Sequence, residues 1–277
     1  VLLFVMILEI RNFMIIKDAI FKRKSIRKYK MDGLNEETIS KVEEMLKNVK
    51  GLYEEINFKG HLVKDGMKVQ ALFNNFIGKY IKVKAPHYIV ITSDKKDGYL
   101  ENVGFAFEEI VIQLTCMGIG TCWVGAPFDR NMVKDMIEID DNQEPILIIA
   151  FGEPEDFFTM YRKGINEYKR KTLDKVVLGE IDSIFEDIFN YVRVAPSAIN
   201  SQPWMFSKED GIINTYCIER KNKITKALYD KMNLIDMGIS LYHLKVGLEK
   251  NRMSFEVIQS QEGKMKSHKY INTIKYR

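Results

Sequence analysis

Cysteine is scarce in this chain, and the three that exist, Cys116, Cys122 and Cys217, are odd in number and show no C-x-x-C spacing. That excludes a disulfide framework or a zinc ribbon and fits a reducing cytoplasm. The four histidines, His61, His87, His243 and His268, lie far apart and form no H-E-x-x-H pair, so no metal site is expected. The opening Val1–Leu8 is wholly apolar but far shorter than the ~20 residues that span a bilayer. No basic stretch precedes it and no small-residue cleavage site follows, unlike a signal peptide. It reads as an apolar arm within an accessory extension, residues 1–13, and no membrane partner is expected. Charge of one sign is lacking too. Lys and Arg number 42 against 38 Asp and Glu, interspersed along the chain, which argues against a dedicated nucleic-acid surface. Present in quantity are 46% hydrophobic and 29% charged residues, the balance of a globular protein. At 277 residues the chain can form one large domain or two lobes, each with its own core.

Three stretches stand out chemically. Ala195–Trp204 reads A-P-S-A-I-N-S-Q-P-W. Pro196 lacks an N–H and disfavours helical geometry at Ala195, so the helix before it must stop. Ser197, Asn200, Ser201 and Gln202 then offer donors and acceptors to the polar edge of a ligand, or simply build an Asx or Ser turn. Arg23-Lys24-Ser25-Ile26-Arg27 places three cations and a hydroxyl around one apolar anchor. Guanidinium forks and a serine suit a phosphate, although a solvated charge run has the same composition. Gly118-Ile119-Gly120-Thr121-Cys122-Trp123-Val124-Gly125 allows close backbone approach or positive φ, as would a glycine-rich helix exit.

Together these stretches closely resemble the FMN-dependent nitroreductase family. Its "APSAxNxQPW" loop stands here letter for letter, its "RRSxR" signature is matched with Lys24 for the second Arg, and its "GLGTCWxG" strand is matched with Ile119 for Leu. The resemblance implies that FMN is held by Arg23, Lys24, Ser25 and Arg27 at its ribityl and phosphate. Trp123, Val124, Gly125 and Ala126 would lie over the ring, and Pro196, Ser197, Ala198 and Asn200 against the isoalloxazine and ribityl, with Gln202 nearby. Arg170, flanked by Lys169 and Lys171, would add a cation to the phosphate. It implies a hydride passed from NAD(P)H to FMN and on to a small-molecule electron acceptor such as a nitroaromatic or quinone. No catalytic side chain is called for, because the flavin N5 carries the chemistry and backbone donors near Gly125 and Ala126 would stabilise its charge; Pro127 has no N–H, so any such donor precedes it. The different functional class is a flavin-binding or electron-carrier protein with little turnover.

In that family the Pro-Ser-Ala loop comes early, soon after the first helices. Here the chain after the Asn35-capped helix reads Asn48–Tyr53 without it, and the loop begins at residue 195. Taken in order, the patterns predict a short helix from Ile15 to Lys22, the Asn35-capped helix through Val49, a strand Phe58–Val63, a helix around Val69–Tyr80, a strand Pro86–Thr92, a helix Leu100–Met117, and a strand through Glu144–Gly152. The pattern then restarts: a helical stripe Ile181, Ile184, Phe185, Ile188, Phe189, strands Trp204–Ser207 and Ile212–Ile218, a helix Leu234–Lys250 and a strand Ser254–Gln259. Gly104 and Leu114 have counterparts in Gly238 and Leu248, a weak internal repeat. The resemblance therefore extends to a single-chain, pseudo-dimeric branch of the family. It implies an α+β, nitroreductase-like fold of two pseudo-twofold-related lobes, 14–178 and 179–277, each a mainly antiparallel sheet packed with helices. One flavin site, in the seam between the lobes, would serve a monomer acting as a pseudo-dimer.

Overall fold

The computed structural model describes residues 15–72, 83–125, 130–164, 167–219, 223–258, 265 and 267–277. The expected extension 1–13, Ala126, Pro127 and the part of the expected helix beyond Leu72 lie outside them. Two compact units emerge. The first comprises the described residues up to Tyr99 with Glu109–Lys163, the second Leu100–Glu108 with Gly164–Arg277.

In the first unit α1 (Ile16–Lys22), α2 (Glu36–Asn48), β1 (Phe58–Val63), α3 (Gly66–Leu72) and β2 (His87–Asp94) precede α4 (Tyr99–Cys116). Then come β3 (Gly120–Val124), α5 (Arg130–Val133) and β4 (Gln143–Gly152). The Asn35 side chain caps α2 as its spacing predicts, accepting from the Thr38 N–H at 2.9 Å, with Glu36 and Glu37 in the first turn complementing the helix dipole. The sheet is antiparallel in the order β1-β2-β4-β3. Every residue of β2 is buried, which is why it reads as a continuous apolar run and not as an alternation. Its Ile89 lies opposite Ile149, which on the far side of β4 lies opposite Trp123, so β4 fixes the register of β3 at the edge of the sheet.

Two histidines of this unit are structural. His87 Nδ1 lies 2.7 Å from the Lys64 carbonyl and Nε2 accepts from the Leu34 N–H at 2.8 Å, which fixes the neutral tautomer. His61 Nε2 lies 3.0 Å from Thr92 Oγ1, whose hydroxyl donates to Gln143. Burial, helped by the nearby Lys59 charge, pulls His61 from 6.5 down to about 4, and burial lowers His87 as well. Between these two pH values the unfolded chain binds a proton that the fold rejects. Stability is therefore flat above pH 6.5 and lost as pH falls toward 4. Thermal melts over that range should show a decline that His61→Gln flattens, by about 1–2 kcal/mol after allowance for partial exposure.

In the second unit β5 (Val177–Leu178), α6 (Ser183–Arg193), β6 (Trp204–Glu209), β7 (Ile212–Ile218), α7 (Lys223–Lys250), β8 (Glu256–Ile258) and β9 (His268–Lys275) build a sheet in the order β5-β6-β7-β9-β8. Only the β5–β6 pairing is parallel. Asp182 caps α6 through the N–H groups of Ile184 and Phe185. The helix buries Phe185, Ile188 and Phe189 and ends at Arg193, just ahead of Pro196 as expected. Three expectations change. Helix α7 begins at Lys223, not Leu234: Ile224, Ala227, Leu228 and Met232 already carry a helical apolar spacing ahead of Leu234, and no proline or glycine interrupts it. The last predicted strand begins at Glu256, not Ser254, and is described as far as Ile258, its expected end Gln259 lying outside the described residues. Strand β9, paired on both sides between β7 and β8, was not anticipated, because its buried Asn272 and Thr273 read as polar. They are satisfied by Thr215 and Asn214 at 2.7 and 2.6 Å.

Within this unit the Leu100–Glu108 stretch of α4 crosses α7 through two glycines. A Cβ on Gly104 would collide with the Ile235 carbonyl oxygen and stand 3.1 Å from the Ile239 nitrogen; one on Gly238 would collide with the Glu101 carbonyl oxygen and stand 2.7 Å from the Phe105 nitrogen. The contacts are reciprocal. Each glycine meets the residue one helical turn before its counterpart and the residue immediately after it.

Candidate functional site

The site residues fall into two sets, one in each unit. In the first unit, helix α1 ends because Arg23 leaves helical geometry (φ −54, ψ 135) while its N–H still reaches the Ala19 carbonyl at 2.7 Å. The chain then runs beside β3: Ser25 bridges Thr121, and the Ile26 N–H donates to the Thr121 carbonyl at 2.9 Å. Gly120 permits this approach, since a Cβ there would stand 2.9 Å from Ile26 Cβ. Ile26 is buried, and its carbonyl accepts from the Tyr29 hydroxyl at 2.6 Å. With its apolar centre fixed, the knot turns its cations around Ser25. Arg23 Nη1 lies 3.4 Å from Ser25 Oγ and Arg27 Nη1 lies 3.4 Å from the Ser25 carbonyl. Arg23 is only 2% exposed, whereas Lys24 is half-buried and Arg27 exposed. Among the described residues no carboxylate pairs with Lys24 or Arg27. Such uncompensated positive charge, with a hydroxyl at its centre, has the donor chemistry a phosphate needs, so the residues present fit the phosphate end of FMN.

Trp123 is half-buried, Val124 buried and Gly125 exposed. Val124 packs into the core of this unit, so it can offer a ligand only its backbone. The cysteines offer no nucleophile: burial pushes the Cys116 thiol up to about 11 and Cys217 up to about 12, and raises Cys122 as well.

The second set is the turn after α6. Pro196 is buried at its base. Ile199, Asn200 and Gln202 take φ values of 49°, 58° and 48°, left-handed geometry that costs a non-glycine residue about 1 kcal/mol or more. Ile199 is β-branched and 72% exposed, so its own burial cannot offset that cost. The turn is held from outside. Gln202 N–H donates to Ser197 Oγ at 2.9 Å. Lys171 N–H donates to Gln202 Oε1 and Lys171 Nζ to the Gln202 carbonyl, both at 2.8 Å. The Asn200 amide donates to the Lys169 carbonyl at 2.8 Å and accepts from Arg170 Nη1. The same guanidinium donates to the Val194 carbonyl at 3.2 Å and stacks 5.1 Å from the Tyr168 ring centroid. The basic segment and the Pro-Ser-Ala turn, 30 residues apart in sequence, are thus laced together.

The structure therefore brings Arg23, Lys24, Ser25 and Arg27 together with β3, and brings Arg170 together with Ser197, Ala198 and Asn200. One residue was missed by sequence reasoning. Asp236 of α7 accepts from the Ala198 N–H with both carboxylate oxygens, at 3.0 and 3.1 Å, and from Ser201 Oγ at 3.4 Å. Its signal in the sequence is a lone carboxylate inside the apolar run Leu234–Tyr242. Among the described residues no cluster of His, Cys, Asp and Glu could hold a metal ion, and no helix is long and apolar enough to cross a membrane.

A crystal structure titled "putative nitroreductase" from Thermotoga maritima MSB8 covers 95% of this chain and 93% of its own, with a TM-score of 0.61 and 20% identity, a likeness of fold. A "Putative NADH dehydrogenase/NAD(P)H nitroreductase" of Archaeoglobus fulgidus is 24% identical over 146 residues, which are 50% of this chain and 84% of that protein. An "FMN-dependent Nitroreductase" from Clostridium difficile R20291 is 24% identical over 57% of this chain and 96% of its own, at a TM-score of 0.43. A family model described as "Putative TM nitroreductase" matches residues 15–248. With that match running through both units, the chain belongs to this nitroreductase family of oxidoreductases.

Proposed function

We propose that the chain is an FMN-dependent oxidoreductase of nitroreductase type, working in the cytoplasm as a monomer with one flavin per chain. The observation that carries this reading is the knot at Arg23–Arg27, where Arg23 and Arg27 converge on Ser25 and, among the described residues, no carboxylate pairs with Lys24 or Arg27. Bound FMN would supply hydride transfer from NAD(P)H to a small acceptor, a nitroaromatic or quinone. The rest falls to the chain. Arg23, Lys24 and Arg27 neutralise the phosphate and Ser25 donates to it. Backbone N–H groups of Trp123–Gly125 would be the donors toward negative charge developing on the ring; Ala126, the other expected donor, lies outside the described residues. Pro196, Ser197, Ala198 and Asn200 would be the turn's contacts with the flavin, as the family resemblance implies, and the exposed Ile199 offers apolar surface beside them.

Arg170 has a different emphasis from that implied by the resemblance. Its guanidinium is engaged with Asn200 and Val194, so its part is to fix the turn. The reciprocal contacts of Gly104 and Gly238 support internal duplication, because equivalent residues meet each other's neighbours across a twofold axis.

The purified chain is expected to show a flavin absorption spectrum that bleaches anaerobically on mixing with NADH or NADPH and returns with a quinone or nitroaromatic. A yellow protein that neither nucleotide reduces would leave flavin binding and remove the reductase. A colourless protein that takes up no added FMN would remove both.

A further inference from the structure

The strain in the Ser197–Gln202 turn has to be sustained by something, and the backbone of the turn does not sustain it alone. Ala198 is its first residue after the cap, and its N–H points at Asp236, whose two oxygens lie 3.0 and 3.1 Å away. Ser201, at the other end of the turn, reaches the same carboxyl group at 3.4 Å. Asp236 thus closes the turn from both sides. It does so from the interior of a 28-residue helix, a far stiffer support than a loop. We propose that Asp236 is the positioning residue that holds Ser197–Gln202 in its left-handed shape and thereby sets how tightly the flavin is held. The second half of this statement rests on the flavin reading above.

The setting of Asp236 argues that it is kept for this task and not for stability. It is 4% exposed, and no cation pairs with it among the described residues. The titratable groups that face it are Glu108 of α4 and Cys217 of β7. Glu108 is itself fully buried, 3.0 Å from His243 Nε2, while His243 Nδ1 lies 2.9 Å from the Tyr191 carbonyl. Burial first, and then the charge of Glu108, push Asp236 from 3.8 up to about 8, against the pull of Ala198 and Ser201. The fold therefore binds a proton that the unfolded chain has released. The stability this contributes is complete below pH 3.8 and is lost as pH rises through about 8. A carboxylate that weakens the fold in alkali is a stability cost of the kind functional sites carry.

Both protonation states hold the turn, but unequally. The neutral acid accepts from Ala198 with one oxygen and can donate to Ser201 with the other, which is what an asparagine amide would do. The ionised form accepts from both, and charge-assisted hydrogen bonds are about twice as strong as neutral ones. FMN should then bind more tightly above pH 8 than below it.

The test compares the wild-type chain, Asp236→Asn and Asp236→Ala at pH 7 and pH 9. The measurements are amide hydrogen exchange across Ala198–Gln202 in the flavin-free chain, FMN affinity by fluorescence titration, and melting temperature. Asp236→Ala is expected to lose protection of the turn and to bind FMN about tenfold or more weakly, the effect of losing one charged hydrogen bond. Asp236→Asn should match the wild type at pH 7, fail to tighten at pH 9 where the wild type tightens severalfold, and melt higher than the wild type at pH 9. Should Asp236→Ala fail to fold, the pH courses of the wild type and Asp236→Asn decide the matter. Unchanged protection in Asp236→Ala, lost protection with unchanged FMN affinity, or the same pH course in Asp236→Asn as in the wild type would each overturn the proposal. A wild-type chain that binds no FMN at either pH would sink the flavin reading and the affinity half of the proposal with it; the exchange data would still decide whether Asp236 holds the turn.

Discussion

Gly238→Ala is expected to lower the melting temperature by roughly 6–10 °C, the shift that ~3 kcal/mol produces in a chain of this size. Alanine is intrinsically the better helix former by about 1 kcal/mol, so in an open helix the same change would stabilise. Here the added Cβ meets the Glu101 carbonyl oxygen and stands 2.7 Å from the Phe105 nitrogen. These are backbone atoms of a second helix and cannot turn aside as a flexible side chain would. The helices have to separate, and the packing lost around the crossing exceeds the gain in propensity; overpacking of this kind costs about 1–3 kcal/mol and occasionally more. Gly104→Ala should behave alike, because it faces the Ile235 carbonyl in the reciprocal arrangement. Gly164→Ala is the control, since a Cβ there meets nothing within 4 Å. Thermal unfolding of the three variants checks the expectation, and a Gly238→Ala chain as stable as the control would show that the crossing is loose.

The second large effect is on the cofactor. Replacing Lys24 and Arg27 together by alanine is expected to weaken FMN binding by roughly 100- to 1,000-fold, because a charged hydrogen bond contributes about 1.5–3 kcal/mol. The melting temperature of the flavin-free chain should not fall. Arg27 is exposed and Lys24 half-buried, so their removal opens no cavity, whereas Arg23 is buried and its loss would confound binding with folding. Riboflavin, which lacks the phosphate, separates the possible causes. The double variant should bind riboflavin as the wild type does and lose selectively for FMN. An equal loss for both ligands would mean that the knot does not hold the phosphate.

Both predictions begin from residues visible in the sequence, but what was visible differed. Arg23–Arg27 and the Pro-Ser-Ala turn could be recognised because their chemistry is local: a cluster of cations, a helix-stopping proline and a run of small hydroxyls need no partner to be noticed. The Asn35 cap and the unbroken apolar run of β2 were legible for the same reason, since local hydrogen bonding and burial write themselves into adjacent residues. Strand β9 was not, because its buried Asn272 and Thr273 look exposed until Thr215 and Asn214 are placed opposite them. Nor was the start of α7, where Ile224, Ala227, Leu228 and Met232 are spaced as a helix but stand among lysines and other polar residues that hide the pattern.

Gly104 and Gly238 show the boundary between the two kinds of information. As letters they are two small residues in similar helical contexts, a faint hint of repetition. In space each fits against the backbone preceding the other, a relation that no count of residues reveals. Asp236 makes the same point for the site. The sequence presents an unexplained acid in an apolar helix, while the fold turns its oxygens onto Ala198 and Ser201.

By itself, then, the sequence determined the family, the basic chemistry of the Arg23–Arg27 knot, the position of the turn and most of the elements, because these depend on neighbours along the chain. Only the tertiary structure decided that Arg170 and Asn200 hold each other, that Asp236 accepts from Ala198 and Ser201, and that two glycines form one helix crossing. These are contacts between residues far apart in sequence. The free energy of such a contact depends on burial and on angstrom-scale separations, and neither is encoded at any single position.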